Sequence, residues 1–252
     1  MEFRLVKTSE FKFRTKLLKE YEMELVFAEH TEELRQRFFQ LIYIFLFISG
    51  VIFTNVTVFV KILENPVQGI KFIQLSPGEY LISTIKITIY SGFLICIPLI
   101  ICQLIFFMLP ALTKNEKKFI LPIIGISFLL FGLGLGFSYY LLIPAALKFF
   151  VDYSSTVIEP FWSFDQYLDF ILLIFYSTGL AFQIPIVQLI LGLTKIISAQ
   201  QMLSIWKYII LGSTIIGAVL TPSTDPITQI TLSSAIVILY FLGANILLLY
   251  EK

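Results

Sequence analysis

Histidine and cysteine are scarce in this sequence, and their scarcity excludes several kinds of membrane enzyme. The chain has 252 residues, of which one is a histidine and two are cysteines. His30 precedes the first long apolar stretch, so a bis-histidine haem, a membrane zinc protease and a Ser–His intramembrane protease are poorly supported. Cys96 and Cys102 lie six positions apart and do not share a face of one helix. We therefore predict no enzyme activity, no catalytic residue, no cofactor and no metal site.

Charged side chains are absent from six long stretches of the chain. These stretches cover positions 38–60, 87–113, 119–147, 170–194, 208–224 and 226–250. About 20 helical residues cross a hydrocarbon core that is about 30 Å thick. Because 58% of the residues are apolar, the sequence predicts an all-α membrane protein with six transmembrane helices. We place the spans at about 38–60, 81–109, 119–147, 168–193, 205–220 and 227–249, and the fifth is short.

Lysine and arginine are almost absent from alternate loops, which predicts the orientation of the chain. The loops assigned to the outside hold Lys61, Lys71 and Lys148, and Lys86 lies near the outer end of span two, where it can snorkel to the headgroups. The segments assigned to the inside hold Arg4, Lys7, Lys12, Arg14, Lys16, Lys19, Arg35, Arg37, Lys114, Lys117, Lys118, Lys195, Lys207 and Lys252. Basic residues accumulate on the cytoplasmic side of membrane proteins. Both termini are therefore predicted to lie inside.

The first 37 residues differ in character from the rest of the chain. They contain neither proline nor glycine and mix acidic with basic side chains. Their apolar residues Leu18, Tyr21, Leu25 and Leu34 recur at helical spacing, which is typical of a helix that lies on a membrane surface. We predict a charged amphipathic inner-surface segment at 1–37, followed by a six-span membrane domain at 38–252.

Proline and glycine inside the spans predict bends and close packing. Pro98 and Pro185 remove backbone donors from spans two and four and should kink both helices. Bent helices favour a cupped body over a straight bundle. Gly132 and Gly136, with Gly134 between them, form a Gly-x-x-x-Gly pair that lets another helix approach closely.

Four polar clusters flank the spans. They are His30-Thr31-Glu32-Glu33-Leu34-Arg35-Gln36-Arg37 before span one, the loop 109–118, the segment 137–150, and Thr221-Pro222-Ser223-Thr224-Asp225-Pro226-Ile227-Thr228-Gln229 between spans five and six. Each cluster alone has an ordinary explanation. Glu33 and Arg37 are spaced to pair on one helix face, and Thr-Pro and Asp-Pro form turns.

In this order and topology the clusters resemble the TatC family, the multispanning receptor of the twin-arginine translocase. Thr31 replaces the leucine that is usual in the family's first motif, and the last turn carries one extra residue. That longer turn is similar to cyanobacterial and plastid members, as are Ser76-Pro77-Gly78-Glu79 and Ala181-Phe182-Gln183-Ile184-Pro185. The excess of lysine over arginine and the 26 phenylalanines suggest an AT-rich genome. We expect a plastid thylakoid membrane, with a bacterial or cyanobacterial membrane as the alternative.

The resemblance implies a core receptor that binds the twin-arginine signal peptides of folded proteins. It would assemble single-span TatA-type and TatB-type subunits for export driven by a proton gradient, as a homo-oligomer in membrane lipid and without nucleic acid. The implied signal-binding residues are Glu33, Glu116, Arg35, Arg37 and Phe107. The implied partner or translocation residues are Gln183, Gln103, Pro66 and Asp225.

Carboxylates suit this task because they pair with guanidinium groups in bidentate, charge-assisted geometry. For Gln183 the sequence leaves two interpretations open. Its amide either lines the concave face and binds a partner helix, or fills the backbone gap left by Pro185. Pro66 and Asp225 would belong to an outer cap that braces the spans.

Two other functions remain open at this stage. A six-span secondary transporter or channel for a small solute is the alternative, although such proteins usually carry ionisable groups near mid-membrane. The middle of these spans is uncharged. An assembly scaffold for an energy-transducing complex would be distinguished by co-purification with that complex.

Overall fold

The computed structural model describes residues 31–66, 72–113, 116–154, 161–220 and 226–250. The chain divides into two units, Met1–Tyr43 and Ile44–Lys252. The described part of the first unit is helical. Most of the predicted surface segment at 1–37 lies outside the described residues, as does Asp225.

Helices account for most of the described chain. In chain order they are α1 Thr31–Thr54, α2 Val56–Glu64, α3 Glu79–Met108, α4 Ile120–Phe137, α5 Ile143–Ser154, α6 Phe164–Ala181, α7 Ile184–Leu193, α8 Ala199–Ser204, α9 Trp206–Leu220 and α10 Pro226–Tyr250. Short 3₁₀ turns at Leu109–Ala111 and Glu116–Phe119 connect α3 to α4, and a π-helical turn at Ser138–Leu142 connects α4 to α5.

Five helical segments within the described ranges are long and apolar enough to cross a membrane. They are Thr31–Thr54, Glu79–Met108, Glu116–Ser154, Phe164–Leu193 and Pro226–Tyr250. The shorter apolar helix Trp206–Val219 corresponds to the predicted short fifth span. The prediction of a helical membrane protein is therefore confirmed, while the count of six spans and the inside location of both termini stay predictions.

The all-α prediction missed a small parallel β-bridge. Strand β1, Phe72–Ile73, pairs with β2, Trp162–Ser163, so that Phe72 lies opposite Trp162. The centroid of the Phe72 ring lies 4.8 Å from the ring centroid of Tyr167 and 5.5 Å from that of Phe164. Two-residue strands produce no alternating pattern, so a sequence cannot reveal a pairing between loops so far apart.

Polar contacts between α3 and the start of α6 lie close to this bridge. Glu79 is buried, and its carboxylate accepts hydrogen bonds from the Ser163 hydroxyl at 2.5 Å and from two backbone N–H groups of the loop before α3. Lys86 Nζ donates to Asp165 at 2.8 Å and to Asp169 at 3.0 Å. The sequence analysis did not predict these partners, which lie 79 and 83 positions later in the chain.

The core of the second unit lies where α3, α4 and α6 meet. Ile87 of α3 and Leu168 of α6 are fully buried in it. Glycines let α7 and α10 approach closely, since a Cβ added at Gly192 would overlap the side chain of Leu247. Backbone contact through small residues is a usual way for helices to associate in lipid, where apolar side chains gain little by leaving the surrounding tails.

The two prolines act differently on their helices. Pro98 lies inside α3, which continues on both sides of it. The fourth predicted span is divided instead, because α6 ends at Ala181 and α7 begins at Ile184, one residue before Pro185. The break follows from the proline, whose ring nitrogen cannot donate to the preceding turn. The predicted kinks and the cupped shape stay predictions.

Candidate functional site

The acidic and basic residues at the start of α1 form two ion pairs. Arg37 donates through Nη2 and Nε to Glu33 Oε1 at 2.5 and 3.1 Å, and Arg35 binds Glu32 at 2.6 Å. Helical spacing brings residues three or four apart onto neighbouring positions. The Nη2 and Nε groups of Arg37 both bind the same carboxylate oxygen of Glu33. The second carboxylate oxygen of Glu33 takes no part in this pair. The ordinary pairing predicted from the sequence is therefore present.

Glu116 lies in the second unit, at the start of the 3₁₀ turn before α4. Its Oε2 accepts a hydrogen bond from the backbone N–H of Thr113 at 2.8 Å. The carboxylate is half-buried and interacts electrostatically with Lys195, which follows α7 in a left-handed backbone conformation. Glu116 is thus an oriented carboxylate on the connection between α3 and α4.

Gln103 and Phe107 lie one helical turn apart near the end of α3. Both side chains are half-buried. A spacing of four residues places them on the same helix face. The structure therefore brings these two predicted residues together on one side of α3.

Gln183 lies in the break between α6 and α7 and is 2% exposed. Its Oε1 accepts a hydrogen bond from Ser127 Oγ at 2.7 Å, and its Nε2 donates to the backbone oxygen of Ser127 at 3.1 Å. The described contacts of the amide thus reach α4 rather than the turn preceding Pro185. Neither sequence interpretation of Gln183 included Ser127. The only sequence feature that pointed to Ser127 was that it is a polar residue within an apolar span.

Aromatic rings and glycines pack α4 against the same break. A Cβ added at Gly134 would lie 2.9 Å from the ring of Phe182, and one added at Gly179 would lie 3.1 Å from Phe131. Cβ positions at Gly132 and Gly136 meet nothing within 4 Å. Within the described chain, close packing therefore uses Gly134 rather than the Gly-x-x-x-Gly pair around it.

Pro66 is half-buried and follows the turn at the end of α2. Tyrosine hydroxyls hold this end of α2 in place, since Tyr167 donates to the Leu63 carbonyl at 2.6 Å and Tyr139 donates to the Ile62 carbonyl at 3.2 Å. The neighbouring Asn65 also binds Tyr139. Pro66 thus follows a helix end that is anchored to α6 and to the π-helical turn.

Comparison with known proteins identifies the family. The family model described as Sec-independent protein translocase protein (TatC) matches residues 29–234. The chain belongs to the TatC family. It is 59% identical over 248 residues to the uncharacterized TatC-like protein ycf43 of Trieres chinensis, an alignment that covers 98% of this chain and 94% of that protein.

Other relatives of this TatC-family protein agree with the assignment. It is 45% identical over 239 residues to the chloroplastic Sec-independent protein translocase protein TATC of Oryza sativa subsp. japonica, covering 93% of this chain and 66% of that one. A crystal structure of the twin-arginine translocase receptor TatC in DDM superposes with a TM-score of 0.77 at 34% identity, covering 86% of this chain and 99% of the other.

The family and the apolar helices together establish what kind of protein this is. It is a component of a Sec-independent protein translocase and an integral multi-pass membrane protein of the plastid and cyanobacterial type. The predictions of family and of thylakoid location are thereby confirmed. The roles of the individual site residues stay predictions.

The packing of α4 on the α6–α7 break predicts different outcomes for neighbouring glycines. Gly134→Ala should destabilise the protein by about 1–3 kcal/mol, because the new methyl group would push against Phe182. Gly132→Ala and Gly136→Ala are matched controls with open space at the same atom. Thermal unfolding in detergent measures the difference, and equal midpoints for Gly134→Ala and Gly132→Ala would contradict the packing described.

Proposed function

We propose that this TatC-family protein is the core receptor of a twin-arginine translocase. It binds the twin-arginine signal peptides of folded proteins and assembles TatA-type and TatB-type single-span subunits for export driven by a proton gradient. The observation that carries the proposal is that Glu33 and Glu116, to which the family resemblance assigns signal binding, are both oriented carboxylates. A solved relative with 34% identity is itself named a twin-arginine translocase receptor.

The chemistry of the signal explains why carboxylates are needed. Two arginine side chains present planar guanidinium groups, each of which pairs with a carboxylate through two parallel hydrogen bonds. The second oxygen of Glu33 lies outside the fork of Arg37. A signal arginine would bind there or displace Arg37, and Arg35 and Phe107 are further proposed signal-binding residues.

The proposal places these carboxylates on the inner membrane surface. Six spans with both termini inside follow from the positive-inside distribution of lysine and arginine. In this arrangement the first residues of α1 are on the side from which cargo arrives. The α3–α4 connection is on that side as well. The protein works as a homo-oligomer within a larger complex in membrane lipid.

Gln183 is the proposed contact for a single-span subunit, and Gln103 is a second proposed partner or translocation residue. A polar side chain in the apolar part of a membrane is costly unless it is bonded. Ser127 bonds the amide in this structure, and a polar group on a partner helix is the proposed second partner of Gln183. The parts of Pro66 and Asp225 in translocation rest on the family resemblance and stay predictions.

The signal site is tested by removing each carboxylate charge. Glu33→Gln and Glu116→Gln should each lower crosslinking to a twin-arginine signal peptide by about tenfold or more, because each replaces a charge-assisted hydrogen bond with a neutral one. Glu32→Gln is the matched control, since Glu32 is also ion-paired on α1 but is not a proposed ligand. Full crosslinking in the double Glu33→Gln, Glu116→Gln variant, at normal abundance, would refute the assignment.

The partner site is tested by two substitutions of Gln183. Gln183→Glu should be tolerated because it keeps a polar group, whereas Gln183→Leu should keep signal binding but lose recruitment of the single-span subunits. Crosslinking from cysteines placed beside position 183 measures recruitment. Gln188→Leu is the control, since Gln188 is a buried glutamine of α7 that faces Gly243 of α10. Normal recruitment in Gln183→Leu would reject the proposed contact.

A further inference from the structure

The strongest internal contact of Gln183 is a two-way bond with one serine. Ser127 donates its hydroxyl to the amide oxygen at 2.7 Å, and the amide nitrogen donates back to the backbone oxygen of Ser127 at 3.1 Å. Ser127 is 0% exposed and Gln183 is 2% exposed. The pair joins α4 to the break between α6 and α7.

This pair limits what a partner helix can reach. An amide can make four hydrogen bonds, of which the two to Ser127 are described here. Because Gln183 is 2% exposed, turning the amide away from Ser127 is the route by which a side chain from another subunit reaches its oxygen. A buried amide left without a bond is unfavourable, so an amide that turns away from Ser127 takes a new donor in its place.

The backbone around Gln183 departs from regular helix bonding. The Gln183 N–H bonds the Leu180 carbonyl at 3.0 Å, three residues back rather than the four of an α-helix. The ring nitrogen of Pro185 carries no hydrogen and donates no bond. Helices bend at positions where the regular bond ladder is interrupted. Gln183 therefore lies where the regular backbone bonding of its span is interrupted.

We propose that Ser127 is a positioning residue that holds Gln183 in a closed arrangement, and that a partner subunit binds by replacing the Ser127 hydroxyl as the donor to the Gln183 amide oxygen. This inference rests on the proposed function of Gln183. It also specifies the partner's chemistry, which must be a hydrogen-bond donor such as a hydroxyl, an amide N–H or a protonated carboxyl group. An unprotonated carboxylate would not satisfy the amide oxygen.

The inference predicts a gain of recruitment on loss of the serine hydroxyl. Ser127→Ala removes the competing donor but keeps the backbone carbonyl, so crosslinking of the single-span subunits beside position 183 should rise by about threefold to tenfold. Signal-peptide crosslinking should not change. Ser127→Thr keeps the hydroxyl and should behave as the parent protein. A purely structural serine would give no rise.

A matched control lies in the same helical segment. Ser138 is also fully buried, but its hydroxyl donates to the Leu135 carbonyl of its own segment. Ser138→Ala should therefore leave recruitment unchanged. If Ser127→Ala lowers the abundance of the protein, Ser127→Cys decides the question, because a thiol fills the space but is a weak donor, and it too should raise recruitment.

The outcomes separate this inference from the proposed function. Unchanged or reduced recruitment in both Ser127→Ala and Ser127→Cys would overturn the inference, even where Gln183→Leu abolishes recruitment and the partner site stands. Normal recruitment in Gln183→Leu would remove the partner site itself. In the Gln183→Leu background the gain from Ser127→Ala should disappear, and a gain that persists there would show that Ser127 acts through another group.

Discussion

A polar side chain inside a hydrocarbon-length helix is costly unless it is bonded, and two such bonding arrangements link helices of this structure. Water is absent from the bilayer core, so an unpaired polar group there is costly. Gln183 bonds Ser127 on α4, and Lys86, near the end of its span, bonds Asp165 and Asp169 on α6. These bonds connect α3, α4 and α6, whose apolar residues fill the same core. The polar pairs add hydrogen bonds to contacts whose packing area the apolar faces supply.

The sequence was sufficient for the helices because a lack of charge over a membrane-length stretch is a local property. It was not sufficient for contacts between distant segments. Glu79 bonds a serine that lies 84 positions later, and β1 pairs with β2 through only two residues on each strand. No local pattern records such pairings. The predicted start of span one also lies several residues beyond the described helical residue Thr31, because charged residues continue a helix readily outside lipid.

Some features of the candidate site likewise follow from local sequence patterns, whereas others depend on packing between distant segments. The bond between Glu33 and Arg37 follows from helical spacing and could be predicted. Pro185 marked the region of the α6–α7 break, because a missing N–H acts locally. Ser127 could not be paired with Gln183 from the sequence, since several serines and threonines lie in the spans and only packing selects one. Gly134 was likewise distinguished from Gly132 and Gly136 only by the ring that lies against it.

The central claim is that the protein recognises paired guanidinium groups, and one comparison tests it most directly. Detergent-solubilised protein is exposed to a photo-crosslinking signal peptide that carries Arg-Arg and to an otherwise identical peptide that carries Lys-Lys. Lysine keeps the charge but cannot form the planar fork, so the account predicts that labelling by the Arg-Arg peptide exceeds that by the Lys-Lys peptide by about tenfold or more. Equal labelling by the two peptides would contradict it.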